Sequence, residues 1–308
     1  MKISVIIATL NRPADLKIAL ESLMSQTRFP DEILIVDQST NNQSKIVVSE
    51  MRLLRPDRAA SLRYLVQEEK SLVKARNRGL AEATGDLVSF LDDDVALFED
   101  YFLEIEKEFL SDSAIGCASG NTLVKKAPAG AKWGLRRFLM RVFRLSDFNG
   151  RMTASGFGYP IHEREITRRV EVDFLPGCNM NYRRTVIGDE RFDEWFTGYG
   201  FREDVDFSYR MSRRAKAVMI PGAKLYHNYA EGNRLDAGAL KKMELRNYHY
   251  LFKKHRASNP LRTPLFLWSL AGLTLIDCFE FLSTGEASKL SKLRAGFGSA
   301  VSFVLRRS

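Results

Sequence analysis

The strongest constraint on the fold is a rhythm: between residues 3 and 91, short apolar runs alternate with helical patterns. Ile3 to Ala8, Glu32 to Asp37, Leu62 to Val66 and Leu87 to Leu91 have the length and branching of buried strands. After the first run, Asn11-Arg12-Pro13 turns the chain and sets Pro13 near the first helical position. Ala14 to Ser25 then carries Leu16, Ala19, Leu20 and Leu23 at helical spacing. Residues 43–55 form a second helical stretch, and Ser71 caps a third that runs through Ala83 and is closed by Gly85. Strands joined by helices of this length need right-handed crossovers, which give a parallel sheet covered on both faces.

In such a sheet ligands lie beyond the carboxyl ends of the strands. Those ends carry Thr9, Asp37 and the triplet Asp92-Asp93-Asp94. Three consecutive carboxylates repel one another and raise one another's pKa, so they either face water as a turn or are neutralised by a cation. An Asp-x-Asp spacing suits a hard divalent cation, which completes its shell with water and substrate phosphates. Lys74, Arg76, Asn77 and Arg78 precede the triplet on one helix, where they can meet a phosphate or a base, or simply form a solvated face. No GxxxxGK[ST] pattern exists, and neither Gly156-Phe-Gly158 nor Gly296-Phe-Gly298 has the third glycine of a dinucleotide fingerprint. A phosphate ligand would therefore be held through a metal. Downstream, Glu203-Asp204 opens a helix through Arg214, where the dipole favours ionised acids. One acid can serve as general base, or the pair can be a plain N-terminal charge cap with Asp206. His227 follows a strand and is a metal or phosphate ligand or an ordinary histidine.

Lys and Arg outnumber Asp and Glu by 47 to 38, a formal charge of +9, and the excess gathers in 125–169 and 286–307. That favours an anionic partner. Zinc-finger spacing and RNA-binding aromatic signatures are missing, so nucleic acid is set aside for a phosphorylated small molecule or an anionic membrane surface. Cys117, Cys178 and Cys278 are odd in number and widely separated, which fits reduced structural thiols and the cytosol. The apolar N-terminal run is too short for a signal peptide and reads as a first strand.

After a helix from Glu99 to Leu110 and a strand from Ile115 to Val124, the rhythm breaks. Trp133 to Leu145 is a basic amphipathic helix that sets Leu135, Phe138, Leu139, Val142 and Phe143 against lipid or protein. Val170 to Tyr182 reads as strand, Pro176-Gly177 turn and strand, Val218 to Pro221 and Ala223 to Tyr226 as short strands, and Asp236 to His255 as a helix. Pro264 to Ile276 is apolar all round, but Asp277 and Glu280 interrupt it before the roughly 20 residues a membrane span needs. It is expected to lie on a membrane or dock on protein.

These pieces add up to a resemblance. Ile3 to Arg12, Ile33 to Asp37, Val73-Lys-Ala-Arg-Asn-Arg-Gly79 with Ala83-Thr-Gly-Asp86, Phe90-Leu-Asp-Asp-Asp94, Gly177-Cys-Asn-Met-Asn-Tyr-Arg183 and Glu203-Asp-Val-Asp-Phe207 resemble, in order, the motifs of the family 2 inverting glycosyltransferases. The match covers about residues 1–230. It implies an α/β GT-A fold, a Rossmann-like mixed sheet with flanking helices, over 1–235. Residues 1–124 would form the nucleotide-sugar half and 125–235 the acceptor half, followed by a helical, membrane-associating region at 236–308.

The resemblance further implies a UDP-, GDP- or dTDP-sugar donor, with Asp37 near the base and Thr9, Asn11, Arg12, Arg76 and Asn77 lining its site. Asp92 and Asp94 would hold Mg2+ or Mn2+, Asp93 would be a donor contact or a replacement ligand in the second register, and His227 would be a late metal contact. Asp204 would be the base that deprotonates the acceptor hydroxyl, with Glu203 as alternate, and Asn179 and Arg202 would lie near donor or acceptor. The expected activity is inverting hexosyl or rhamnosyl transfer to a glycan or lipid-linked acceptor in cell-surface polysaccharide synthesis, at the inner face of the cytoplasmic membrane. Two rivals are a glycoside hydrolase using paired carboxylates and a non-catalytic, membrane-associated sugar-nucleotide-binding protein. Hydrolysis needs no Asp-x-Asp loop beside a nucleotide-type sheet, and the intact Glu203-Asp204 pair argues against loss of catalysis.

Overall fold

The computed structural model describes residues 1–123, 130–161, 165–228, 236–256, 259, 261–287 and 289–296. The chain opens with β1 (Ile3–Thr9), α1 (Pro13–Met24), β2 (Glu32–Asp37) and α2 (Gln43–Leu54). A 3-10 turn (Pro56–Ser61) leads into β3 (Leu62–Val66), α3 (Leu72–Glu82) and β4 (Leu87–Asp92). Next come β5 (Val95–Leu97), α4 (Tyr101–Ser111), β6 (Ile115–Leu123) and α5 (Ala131–Val142). They are followed by β7 (Val170–Glu171), β8 (Asn179–Arg183), α6 (Arg184–Ile187), α7 (Glu203–Ser212), β9 (Lys216–His227), α8 (Ala237–His255) and α9 (Arg262–Thr284). The local signals operate as expected: Pro13 is the first residue of α1, and the Ser71 hydroxyl accepts from the Lys74 amide to cap α3.

The chain divides into two compact units, Met1–Ala127 with Ile161–Asn233 and Pro128–Pro160 with Arg234–Ser308. The expected acceptor half, 125–235, is thus split, and α5 belongs with the C-terminal helices. The sequence gives no local sign of this, because the grouping is made by contacts with residues more than a hundred positions downstream.

In the first unit the described strands form one sheet in the order β3-β2-β1-β4-β8-β6-β9-β5, with β7 also on β9. Strands β3, β2, β1 and β4 are parallel, and β8 runs antiparallel between β4 and β6. Both faces of the parallel half are buried, with Ile3, Val5, Ile7, Ile33 and Ile35 enclosed on one and Ile6, Leu34 and Val36 on the other, as uninterrupted apolar strands require. Strand β9 is continuous where two short strands were expected, and it crosses a register shift between Gly120 and Asn121 of its neighbour β6. Cys117 and Cys178 are buried free thiols.

Two antiparallel pairings set the functional edge. Leu91 pairs with Asn179, and the Asp92 amide donates to the Cys178 carbonyl at 3.2 Å, so the turn entering β8 lies beside the carboxyl end of β4. Strand β5, which was not anticipated, pairs with the end of β9 so that Val95 faces His227, and the Asn228 amide donates to the Asp94 carbonyl at 2.9 Å. The acidic loop is thereby fixed at both ends.

The second unit is helical among its described residues. Asp236 caps α8 by accepting from the Gly238 and Ala239 amides. Helix α9 does not stop at Asp277 but runs to Thr284, with Phe266, Leu270, Leu273, Ile276 and Asp277 on its buried face. Gly272 lies directly under the Phe143 ring, where any side chain would collide, and Ser269 Oγ donates to the Phe143 carbonyl at 2.6 Å. The acid that the sequence suggested as a break is paired instead: Asp277 meets Lys241 Nζ at 2.7 Å and Lys292 Nζ at 2.9 Å.

Candidate active site

The site is built at the carboxyl ends of β1, β2 and β4. Asp92 ends β4, and the next two acids diverge. Asp93 turns inward, where its two oxygens accept from Thr9 Oγ1 at 2.7 Å and Arg12 Nη1 at 3.2 Å. Burial pushes the Asp93 carboxyl up to about 7, against the pull of the Thr9 hydrogen bond and Arg12. Asp94 Oδ1 lies 3.0 Å from His227 Nε2, and its Oδ2 lies 3.9 Å from the same Arg12 Nη1. Burial opposes charge on that imidazole, but the Asp94 hydrogen bond prevails and His227 is raised to about 12. One ligand atom each from Asp92, Asp94 and His227 lie within 4.8 Å of one another. Asp93, the second register for a metal pair, is not in that group; Thr9 and Arg12 hold its two oxygens.

Beside this cluster, Arg76 is only 3% exposed. Its guanidinium bonds Glu203, Asp92 Oδ1 at 3.0 Å and the Gly177 carbonyl at 2.9 Å, with the Phe192 ring 5.5 Å away. Arg76, expected to line the donor site, is a buried tie between the two acidic motifs. Glu203 is likewise buried, and burial raises its pKa above the ordinary carboxylate range although Arg76 pulls the other way. Asp204 is half-buried and keeps a separate arrangement: Oδ2 accepts from the Gly177 amide at 3.0 Å and Oδ1 from the Val205 amide at 2.9 Å. A β-carbon on Gly177 would stand 3.1 Å from Asp204 Oδ2, so a side chain there would press that carboxylate aside by a few tenths of an ångström. Arg202, just before the pair, has φ 75°, a left-handed backbone held in a buried position.

The remaining residues sort by burial. Asp37 is buried at the end of β2, its Oδ1 accepting from the Ser39 amide at 2.8 Å and its Oδ2 from the Tyr64 hydroxyl. Tyr64 was missed, since parallel register leaves no sequence signal. Asn11, at φ 53°, links the first two strand exits: its amide donates to Ser39 Oγ and its side chain accepts from the Thr40 amide. Asn77 engages the 192–194 loop with both ends of its amide, through the Phe192 carbonyl at 2.9 Å, the Phe192 amide at 2.8 Å and Glu194 at 3.3 Å. Asn179 is held within the sheet. It is fully buried and bonded to Ser119, Gly120, Tyr101 and Thr122.

Residues 4–189 match Glycosyl transferase family 2. The chain belongs to that family. An uncharacterized glycosyltransferase of Bacillus subtilis, YwdF, is 34% identical over 251 residues, 80% of this chain and 82% of the relative. The hyaluronan synthase of Pasteurella multocida is 25% identical over 79% of this chain, which spans only 26% of that synthase. Among solved structures, the Pyrobaculum calidifontis mannosyltransferase in complex with GDP-Man and Mn2+ superposes with a TM-score of 0.58 over 97% of this chain and 80% of that one, at 15% identity. The shared architecture is the GT-A fold.

Proposed function

We propose that this chain transfers a glycosyl group from a nucleotide-diphosphate sugar to a hydroxyl of a glycan or lipid-linked acceptor, with inversion, in cell-surface polysaccharide synthesis at the inner face of the cytoplasmic membrane. The observation that carries this reading is the meeting of Asp92, Asp94 and His227 at one sheet edge, tied through Arg76 to the Glu203-Asp204 pair. Two carboxylates suit Mg2+ or Mn2+, and the imidazole favours Mn2+ of the two. Asp92 and Asp94 would hold the ion, with His227 joining them once its imidazole gives up the proton directed at Asp94; the ion would neutralise the donor diphosphate and stabilise it as leaving group.

The chain's own groups divide the remaining work. Asp204 presents a carboxylate fixed by two backbone N–H donors, the arrangement a general base needs to take a proton from an acceptor hydroxyl along a set direction. Glu203 is bound to Arg76 inside the protein and positions that guanidinium. Asp37 and the Asn11–Ser39 link shape the nucleotide end of the cleft.

The test is product analysis. The purified chain is incubated with UDP-, GDP- and dTDP-sugars and a glycosylated lipid-diphosphate acceptor, and the anomeric configuration of any product is read by NMR. One donor giving an inverted product supports the reading. Cleavage of a glycoside without any nucleotide donor would replace it with the hydrolase alternative.

A further inference from the structure

Charge is divided unevenly between the two units. Pro128–Pro160 and Arg234–Ser308 hold 19 of the 47 Lys and Arg but only 6 of the 38 Asp and Glu, so this unit carries +13 and the rest of the chain −4. The same unit exposes its largest apolar surface on α5 and α9. Along α9 the solvent-facing positions Pro264, Trp268, Ala271, Leu275 and Leu282 recur at steps of four, three, four and seven, one face of a helix with no charge on it. Trp268 is 48% exposed and Leu282 82% exposed. On α5, Leu135, Phe138 and Val142 form a second exposed stripe. The Trp268 indole donates to the Val142 carbonyl at 2.9 Å and its ring lies 4.7 Å from Phe143, so the two stripes adjoin.

By length and composition α9 can cross a membrane, with a mean hydropathy of 1.7. Its inner face argues otherwise. Asp277 is pinned by Lys241 and Lys292, and Glu280 by Arg136 and Lys292, at 2.7 to 3.3 Å. Spanning would carry these acids into hydrocarbon or break a buried charge network, and both are strongly unfavourable. We infer that α5 and α9 together form an in-plane anchor that seats its joint apolar face in an anionic bilayer, without crossing it. Charge selects the occupant. A second copy would bring another +13 against the first, whereas anionic headgroups complement Arg141 and Arg144, which stand exposed beside the α5 stripe. This inference rests on the membrane setting of the proposed function and names the surface that meets it.

The test is flotation of the full chain with phosphatidylcholine vesicles, with and without phosphatidylglycerol. The anchor predicts flotation with the anionic vesicles, release by alkaline carbonate, and quenching of Trp268 by brominated lipid after Trp133 and Trp195 are replaced by Phe. Leu275→Glu and Phe138→Glu should each weaken vesicle binding by about tenfold or more, with Leu53→Glu on α2 as the exposed-leucine control. The donor-induced thermal shift should stay unchanged in Leu275→Glu, so loss of vesicle binding is separable from failure of the glycosyltransferase reading. Retention after carbonate would show a span and overturn the inference. So would absence of vesicle binding in wild type, or a lipid-free dimer that Leu275→Glu dissociates.

Discussion

Arg76 Nη2 lies 3.0 Å from Asp92 Oδ1, while the other arm of the same guanidinium bonds Glu203. The two acidic motifs, more than a hundred residues apart in sequence, are thus one electrostatic unit around a buried cation. Arg76→Met should leave Glu203 and Asp92 without their partner and destabilise the fold by about 3–5 kcal/mol. Arg76→Lys should recover part of the stability but not the paired geometry. Urea unfolding of both variants checks this; wild-type stability in Arg76→Met would show that the tie contributes nothing.

Asp204→Asn can accept from only one of the Gly177 and Val205 amides and sets its NH2 against the other, so stability should fall by about 1–3 kcal/mol. Turnover should fall roughly a hundred- to ten-thousand-fold, the range for loss of a general base, with donor binding retained. A variant that keeps near wild-type kcat would remove Asp204 from the mechanism.

Gly177→Ala tests positioning without removing a functional group. The added methyl would press on the Asp204 carboxylate from 3.1–3.3 Å. Displacement of that group should lower kcat by about tenfold or more while the donor KM holds. Equal losses in kcat and thermal stability would mark the effect as merely structural.

The parallel half of the sheet was legible because each strand and helix announces itself locally, and Asp92 and Asp94 were legible from their spacing. Strand β5 was not, since three residues carry no pattern and its existence depends on pairing with β9. The burial of Arg76 has a signal, because Val73, Arg76 and Leu80 fall at helical spacing on the buried face of α3. Asn179 gave no warning, because β8 is enclosed from Asn179 to Tyr182 and polar residues alternate there for hydrogen bonding inside the sheet. The union of α5 with α8 and α9 depends on packing alone.

Glu32 gives a pH dependence whose sign can be worked out. Burial acts to raise this carboxyl, but hydrogen bonds from Ser4, the Thr84 amide and hydroxyl, and Arg63 prevail and hold it at about 2, below its ordinary 4.5. A depressed carboxyl contributes stability above its unfolded pKa, here about 3 kcal/mol, and loses it as pH falls from about 4.5 through about 2. Urea midpoints measured across that window should fall less steeply in Glu32→Gln than in wild type. Parallel slopes would contradict the assignment.

The central claim is that Asp92, Asp94 and His227 receive a metal-bound nucleotide diphosphate. The most direct measurement is the thermal midpoint of wild type and Asp94→Ala with UDP, GDP, dTDP and their sugars, each with and without Mn2+ or Mg2+. The account predicts that one nucleotide class raises the midpoint only when metal is present, and that Asp94→Ala abolishes the shift. A shift that needs no metal, or that survives in Asp94→Ala, would contradict it.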